Sequence, residues 1–495
     1  MRADERPARL VGVLALLVAA WYLYTFNLTP GVLVGDDEGE FTYAAWRQSL
    51  GERVYRDVAF DAAPVPIYLG AMAYKWAGAT HLTTKRLTIA FSLLAGMFTY
   101  LLGERLFGRP TGLLAAALTL SNAYWHFFSW FFTADAFYIC FYVASVYFFA
   151  CAWQNPERRG AWLMAGALGA ISFFSKFFGL FAFGGAFLFA AHQLLADERH
   201  ELDRRAILAG LAWMAAAGVV SGLFFLAPMS DYLDRFLALT VEHHSKAVPT
   251  LSPFFVFYAF FAVLWFEPTP LAHRLLVFMG VLGLTGRGRQ ALPLRALLVW
   301  HSVQALVFLV VKMELYARHL LYLVPFLSIL AADQLATMAS ERGEARRASV
   351  WLGSWILLTA LVGFSSELPT YKHQKLVELV QRLVPPGGTV LAEHGEIAFL
   401  AQRRNVPLRD VPASGTNPAA PRIDAREIVE AIRMEQPEVA LVMKRTRDRS
   451  EDNHFLGQIK DEHLLMEHLQ STYATYRTTD PELGDYHIFT RRDVE

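Results

Sequence analysis

Charge is scarce in this chain: 18% of its 495 residues are Asp, Glu, Lys or Arg, against about 25% in an ordinary soluble domain. Net charge is absent too, with 45 acidic and 45 basic residues. Without a basic excess there is no electrostatic footprint for nucleic acid, and without an acidic block there is no charged, disordered tail. Cysteine is nearly missing. The two present, Cys140 and Cys151, lie in one apolar run, where a helix would hold them about 16 Å apart. A disulfide needs Cα atoms roughly 4.4–6.8 Å apart, so the pair carries no information about redox compartment. No repeat of fixed period and no low-complexity tract occurs. What the chain has in abundance is apolar residues, 55% hydrophobic and 14% aromatic, gathered into uninterrupted runs.

Runs of about the length that crosses a bilayer fall at 10–28, 84–102, 111–127, 134–153, 161–176, 177–195, 206–226, 271–285, 292–311, 319–338 and 349–366. They predict a polytopic α-helical membrane protein with about eleven transmembrane helices. The first run follows Arg2, Arg6 and Arg9 without a small-residue cleavage pattern, and reads as an uncleaved span. Short loops after the even-numbered spans carry Arg105, Arg109, Arg158, Arg159, Arg199, Arg204, Arg205, Arg287, Arg289, Arg295, Arg342, Arg346 and Arg347. The positive-inside rule places these loops in the cytoplasm. The loops at 29–80 and 227–270 and everything after about 367 then face outside. Pro253 to Phe266, short and flanked by prolines, reads as an interfacial or re-entrant helix. Residues 367–495 change character. Strand-length apolar runs (Thr389 to Ala392, Val439 to Met443, Tyr486 to Thr490) alternate with charged helical patterns at 372–383, 424–435 and 457–470. Such alternation predicts a soluble extracytoplasmic α/β domain after a membrane module at 1–366.

Ionisable residues are nearly absent from mid-span and gather at the expected outer ends: Asp135, Lys176, Lys312, Glu314, Arg318 and His319, with Asp36-Asp37-Glu38 just after the first span. Lys176 and Arg318 have a second reading as cations that snorkel to headgroups. Asp135 suits a helix cap. The acid run has Phe41, Tyr43 and Trp46 following at helical spacing, which predicts carboxylates at the start of an amphipathic interfacial helix. A transporter would place its polar groups nearer the midplane, and the acid run together with the ordered basic sites argues against a receptor or scaffold.

Asp37-Glu38-Gly39-Glu40-Phe41, then Gly51, Tyr55-Arg56-Asp57 and Pro64-Val65-Pro66-Ile67-Tyr68 resemble the first outer loop of the protein O-mannosyltransferases and bacterial aminoarabinose (lipid A) transferases, which are GT-C glycosyltransferases. Phe174-Ser175-Lys176-Phe177, Glu242-His243-His244-Ser245-Lys246 and the stretch from Lys312 through Arg318-His319-Leu320-Leu321-Tyr322 to Pro325 resemble further family elements in order. Lys246 stands where the family has Arg, and His319 where it has Tyr.

The resemblance implies a GT-C membrane module that takes a sugar from a polyprenyl-phosphate donor in the outer leaflet and passes it, with inversion, to a protein, lipid or glycan acceptor. Asp37 matches the family's catalytic aspartate, with Glu38 as its supporting neighbour and Asp36 as the rival base. Lys176, Lys246, Arg318, Arg56 and Lys312 are the implied donor-phosphate cations. Asp61 and His243 match positions that hold a divalent metal ion (Mg, Mn or Zn) in the aminoarabinose transferases. A solvated aspartate and a headgroup histidine is the other reading of that pair. The implied location is the inner (cytoplasmic) membrane, with membrane lipids as the surroundings and no nucleic-acid partner.

Overall fold

The computed structural model describes residues 36–58, 60–196, 203–242, 292–312, 321–340, 374–392, 395–406, 423–443, 459–480 and 486–493, with isolated positions 20, 21, 25, 280 and 483. The chain divides into two compact units. One takes Met1–Leu28, Lys85–Pro228 and Pro249–Leu368, and the other Thr29–Thr84, Met229–Val248 and Pro369–Glu495. The second unit therefore gathers both long loops of the membrane part together with the C-terminal segment.

In chain order the first helices, α1 (Asp36–Ser49) and α2 (Val65–Ala77), belong to the second unit. The first unit is helical: α3 (His81–Phe107) from Lys85 on, α4 (Arg109–Leu120), α5 (Ala123–Phe128), α6 (Asp135–Gln154), α7 (Arg159–Ser175), a 3-10 turn (Phe177–Leu180) running into α8 (Phe181–Ala196), and α9 (Arg204–Leu226). Among the described residues four stretches, His81–Phe107, Asp135–Gln154, Phe177–Ala196 and Arg204–Thr240, are long and apolar enough to cross a membrane, and the protein is a multi-pass membrane protein. They coincide with the runs expected at 84–102, 134–153, 177–195 and 206–226. The run at 111–127 is not one helix. Asn122 interrupts it, its side-chain oxygen accepting from the Trp125 backbone N–H at 2.9 Å, so a new helix begins where one continuous span was expected. After Tyr232 comes a short α10 (Leu233–Leu237) in the second unit, then α11 (Leu292–Lys312) and α12 (Leu323–Ser340) in the first. The expected spans at 10–28, 271–285 and 349–366, and Pro253 to Phe266, lie almost wholly outside the described residues.

Apolar burial does not drive helix association in lipid, where tails are as apolar as leucine, so close approach and buried hydrogen bonds must. Both are present. A Cβ at Gly210 on α9 would overlap the Trp162 indole of α7, and one at Gly166 would overlap the Met214 carbonyl. The Ser145 hydroxyl donates to the Ala165 carbonyl at 2.7 Å, that of Ser172 donates to the Tyr138 carbonyl at 2.8 Å, and the Tyr142 hydroxyl meets His301 Nδ1 at 2.9 Å. The two cysteines are free and buried on α6. Asp333, well inside α12, is an exception to the near absence of charge at mid-span: it forms an ion pair with Arg295 on α11, whose guanidinium also lies 5.9 Å from the Phe107 ring. Opposite charge and a ring face make that burial tolerable.

The C-terminal part of the second unit comprises α13 (Gln374–Leu383), β1 (Thr389–Ala392), α14 (Gly395–Ala401), β2 (Arg404–Asn405), β3 (Ile423–Asp424), α15 (Ala425–Glu435), β4 (Val439–Met443), β5 (Ile459–Lys460), α16 (Glu462–Thr472), β6 (Tyr473–Thr475) and β7 (Tyr486–Arg491). Five strands form one sheet in the order β2-β1-β4-β7-β6. β1 pairs in parallel with β2 and β4, while β7 runs antiparallel to β4 and β6. The central strand is apolar on both faces because both are covered. Val439 and Leu441 face a core with Leu376, Val380, Ile397 and Ile488, and Ala440 and Val442 face one with Ile428, Leu465, Leu469 and Phe489. α15 buries Ala425, Ile428, Val429 and Ile432, one helical stripe, and Asp424 caps it by accepting from the Arg426 N–H at 2.9 Å.

Candidate active site

α1 opens on the acid run, where the positive end of the helix favours carboxylates. Glu38 is fully buried, Asp37 is partly buried, and the Asp36 side chain lies outside the described set. Phe41, Ala44, Ala45 and Trp46 anchor the helix, Phe41 meeting Phe60 edge-on at 4.9 Å. The aromatic stripe expected to face the membrane interface is instead packed inside the unit. Trp46 lies edge-on to Phe399 of α14 at 5.8 Å, and the Tyr43 hydroxyl accepts from the Asn405 backbone N–H of edge strand β2 at 3.0 Å. Residues remote in sequence thus cover the stripe. Burial pushes the Tyr43 phenol up to about 12. Beside Glu38 stands Tyr74 of α2, buried, stacked on Phe399 at 5.8 Å and 3.3 Å from the Thr84 hydroxyl. Burial and, behind it, the Glu38 carboxylate raise its pKa, so it stays protonated. Tyr74, Phe399 and Glu396 were missed by sequence reasoning. They come from other elements, and no local pattern signals them.

The Tyr55-Arg56-Asp57 segment forms a tight turn. Tyr55 takes a left-handed φ of 72° and is fully buried, its hydroxyl donating to the Ala62 carbonyl at 2.5 Å and its ring edge-on to Phe236 of α10 at 4.9 Å. Arg235 donates to the Arg56 carbonyl at 3.1 Å, so α10 is seated on the turn. The Arg56 side chain is exposed and pairs with Asp57 at 2.9 Å, which holds the Asp57 carboxyl below the usual range. Asp61 is buried near Tyr55, which also has Tyr68 and Tyr232 as neighbours. Burial drives the Tyr68 phenol up to about 12 and raises Tyr55 and Tyr232 as well. Among the described residues no group of three or more His, Cys, Asp or Glu would hold a metal ion, and His243, the second ligand expected beside Asp61, lies outside them.

In the first unit, Lys176 and Asp135 come together. The Lys176 ammonium donates to the Asp135 carboxylate at 2.6 Å and lies 5.5 Å from the Tyr138 ring and 5.3 Å from that of Phe178. Ala134, not Asp135, occupies the cap position of α6; Asp135 turns its carboxylate to the lysine because that cation offers more than a backbone N–H. His243, Lys246 and Arg318 lie outside the described residues, as does the side chain of Lys312.

Residues 61–225, a third of the chain, match the family of dolichyl-phosphate-mannose-protein mannosyltransferases. No curated protein matches by sequence comparison. Among solved structures, ArnT from Cupriavidus metallidurans bound to undecaprenyl phosphate is 15% identical, with 97% of each chain covered and a TM-score of 0.66. The Archaeoglobus fulgidus oligosaccharyltransferase in complex with Zn and sulfate is 14% identical over 86% of this chain and 68% of that one, with a TM-score of 0.59. The same organism's AglB with an inhibitory peptide and a dolichol-phosphate is 13% identical over 87% and 69%, at 0.58. The chain has the fold of the GT-C membrane glycosyltransferases. Within that class it resembles the O-mannosyltransferases and ArnT, as its outer-loop residues suggest.

Proposed function

We propose that the protein is an inverting glycosyltransferase that moves a sugar from a polyprenyl-phosphate donor to an acceptor on the outer face of the inner membrane. The observation that carries the reading is the acid turn of α1, with Asp37 partly buried beside a fully buried Glu38 and the protonated Tyr74. The ArnT and AglB structures, solved with undecaprenyl phosphate and dolichol-phosphate, support the donor class. Asp37 takes the proton of the acceptor as the acceptor attacks the anomeric carbon. The bond from that carbon to the phosphate oxygen breaks, and its electron pair leaves with the polyprenyl phosphate. Glu38 supports Asp37, and Asp36 is the alternative base one residue away. Lys176, Lys246, Arg318, Arg56 and Lys312 supply positive charge for the leaving phosphate. The segment 367–495 is assigned to the outer face as a soluble α/β domain, the N-terminus to the cytoplasm, and the membrane module to residues 1–366 with about eleven spans.

Incubating purified full-length protein with polyprenyl-phosphate sugars and an acceptor panel tests this. Free polyprenyl phosphate should accumulate with glycosylated acceptor. Donor moved across a vesicle bilayer without cleavage would indicate a flippase, and neither outcome would indicate a scaffold. Asp61 and His243 are assigned as two ligands of a divalent ion, whose charge would offset that of the donor phosphate. Chelation should then lower release, and Zn²⁺ or Mn²⁺ should restore it. Full activity after chelation would remove the ion from the account.

A further inference from the structure

The C-terminal segment reaches the acid turn. Glu396, in the first turn of α14, is only 4% exposed, a rare degree of burial for a carboxylate. It lies directly over Gly39, two residues beyond Asp37: a Cβ built on Gly39 would overlap the Glu396 carboxylate and Cβ. The neighbouring Gly395 is packed on Tyr43, where an added Cβ would stand 3.1 Å from the tyrosine Cβ. Four residues on, Phe399 bridges Trp46 of α1 and Tyr74 of α2, at 5.8 Å from each. The same surface is fixed again by the Asn405 N–H on the Tyr43 hydroxyl and by Arg404, which stands 3.7 Å from Glu52 and 3.1 Å from Glu435. α14 thus holds both α1 and α2, β2 holds α1 again, and Glu396 packs on Gly39, the residue after Glu38.

We infer that Glu396 is a positioning residue for transfer: by filling the space over Gly39, the C-terminal segment sets where the first turn of α1 presents Asp37. This rests on the proposed glycosyl transfer and deepens it, since the C-terminal segment becomes part of the catalytic apparatus and not an appendage to it. Proton transfer demands a heavy-atom approach of roughly 2.6–3.2 Å, and a displacement of about 1 Å costs on the order of a hundredfold in rate. A small shift of α1 should therefore appear in turnover before it appears in donor binding.

The test is a size-exchange cycle in the full-length protein, reading release of polyprenyl phosphate, KM for donor and melting temperature. Gly39→Ala places a methyl where Glu396 lies, and Glu396→Gly empties that space. Each single variant should lose at least tenfold in kcat with KM within about twofold of wild type, and Glu396→Gly, which empties a buried site, should also lower the melting temperature. The double variant Gly39→Ala/Glu396→Gly refills the space and should recover to within about fivefold of wild type. Glu396→Gln, which keeps the volume without the charge, should retain most turnover. Wild-type kcat in both single variants, or losses that multiply in the double, would overturn the inference and leave the transferase reading standing. Absence of release by the wild-type protein itself would overturn both.

Discussion

Replacing Asp37 by Asn is expected to lower turnover by about 10²- to 10⁴-fold, the usual contribution of a positioned general base, which corresponds to about 2.7–5.4 kcal/mol of barrier. The amide keeps the volume of the carboxylate and sits in the first turn of α1, where a neutral polar group is tolerated, so the fold should be unchanged. Donor affinity should also stay near wild type, because the proton acceptor acts on the acceptor substrate and not on the phosphate. Glu38 is the sensitive comparison. Being fully buried, its replacement should cost stability as well as rate. Near-normal turnover in Asp37→Asn with loss in Asp36→Asn would move the base by one residue.

Lys176→Met is expected to destabilise the membrane unit by about 3–5 kcal/mol, because it leaves the Asp135 carboxylate, whose side chain is 4% exposed, without its cation. In detergent this should be visible as a melting temperature lower by several degrees. Asp135→Asn/Lys176→Met removes both charges and should recover most of the loss. A lysine that only snorkels to headgroups would give no such rescue, and unchanged melting in the single variant would contradict the ion pair as a source of stability. Donor affinity in the double variant then reports the part Lys176 plays at the phosphate: a loss of about tenfold is expected from one charge-assisted hydrogen bond of roughly 1.5–3 kcal/mol.

Hydropathy resolves the helices well because a span is a local, length-limited signal. Residues 134–153 were expected and Asp135–Gln154 is observed, and the strands at Thr389–Ala392 and Val439–Met443 fall on the expected residues. The break at Asn122 was missed since a single cap residue hardly alters a hydropathy average. The same holds for β2, β3 and β5, two residues each, which are defined by their neighbours. At the site, the acids of α1 were legible as three consecutive carboxylates after a span. What encloses them was not. Phe399 and Glu396 lie more than 350 residues away, and only the fold brings them to Trp46 and Gly39. The Asp135–Lys176 pair was visible as two charges at span ends, but their 2.6 Å contact belongs to the packing of α6 against α7.

The most direct measurement is the anomeric configuration of the product relative to that of the donor, read from the one-bond carbon–proton coupling at the transferred sugar. A single displacement with Asp37 as base predicts complete inversion in the wild-type product. Retention of configuration would require a covalent glycosyl–enzyme intermediate and would contradict the account.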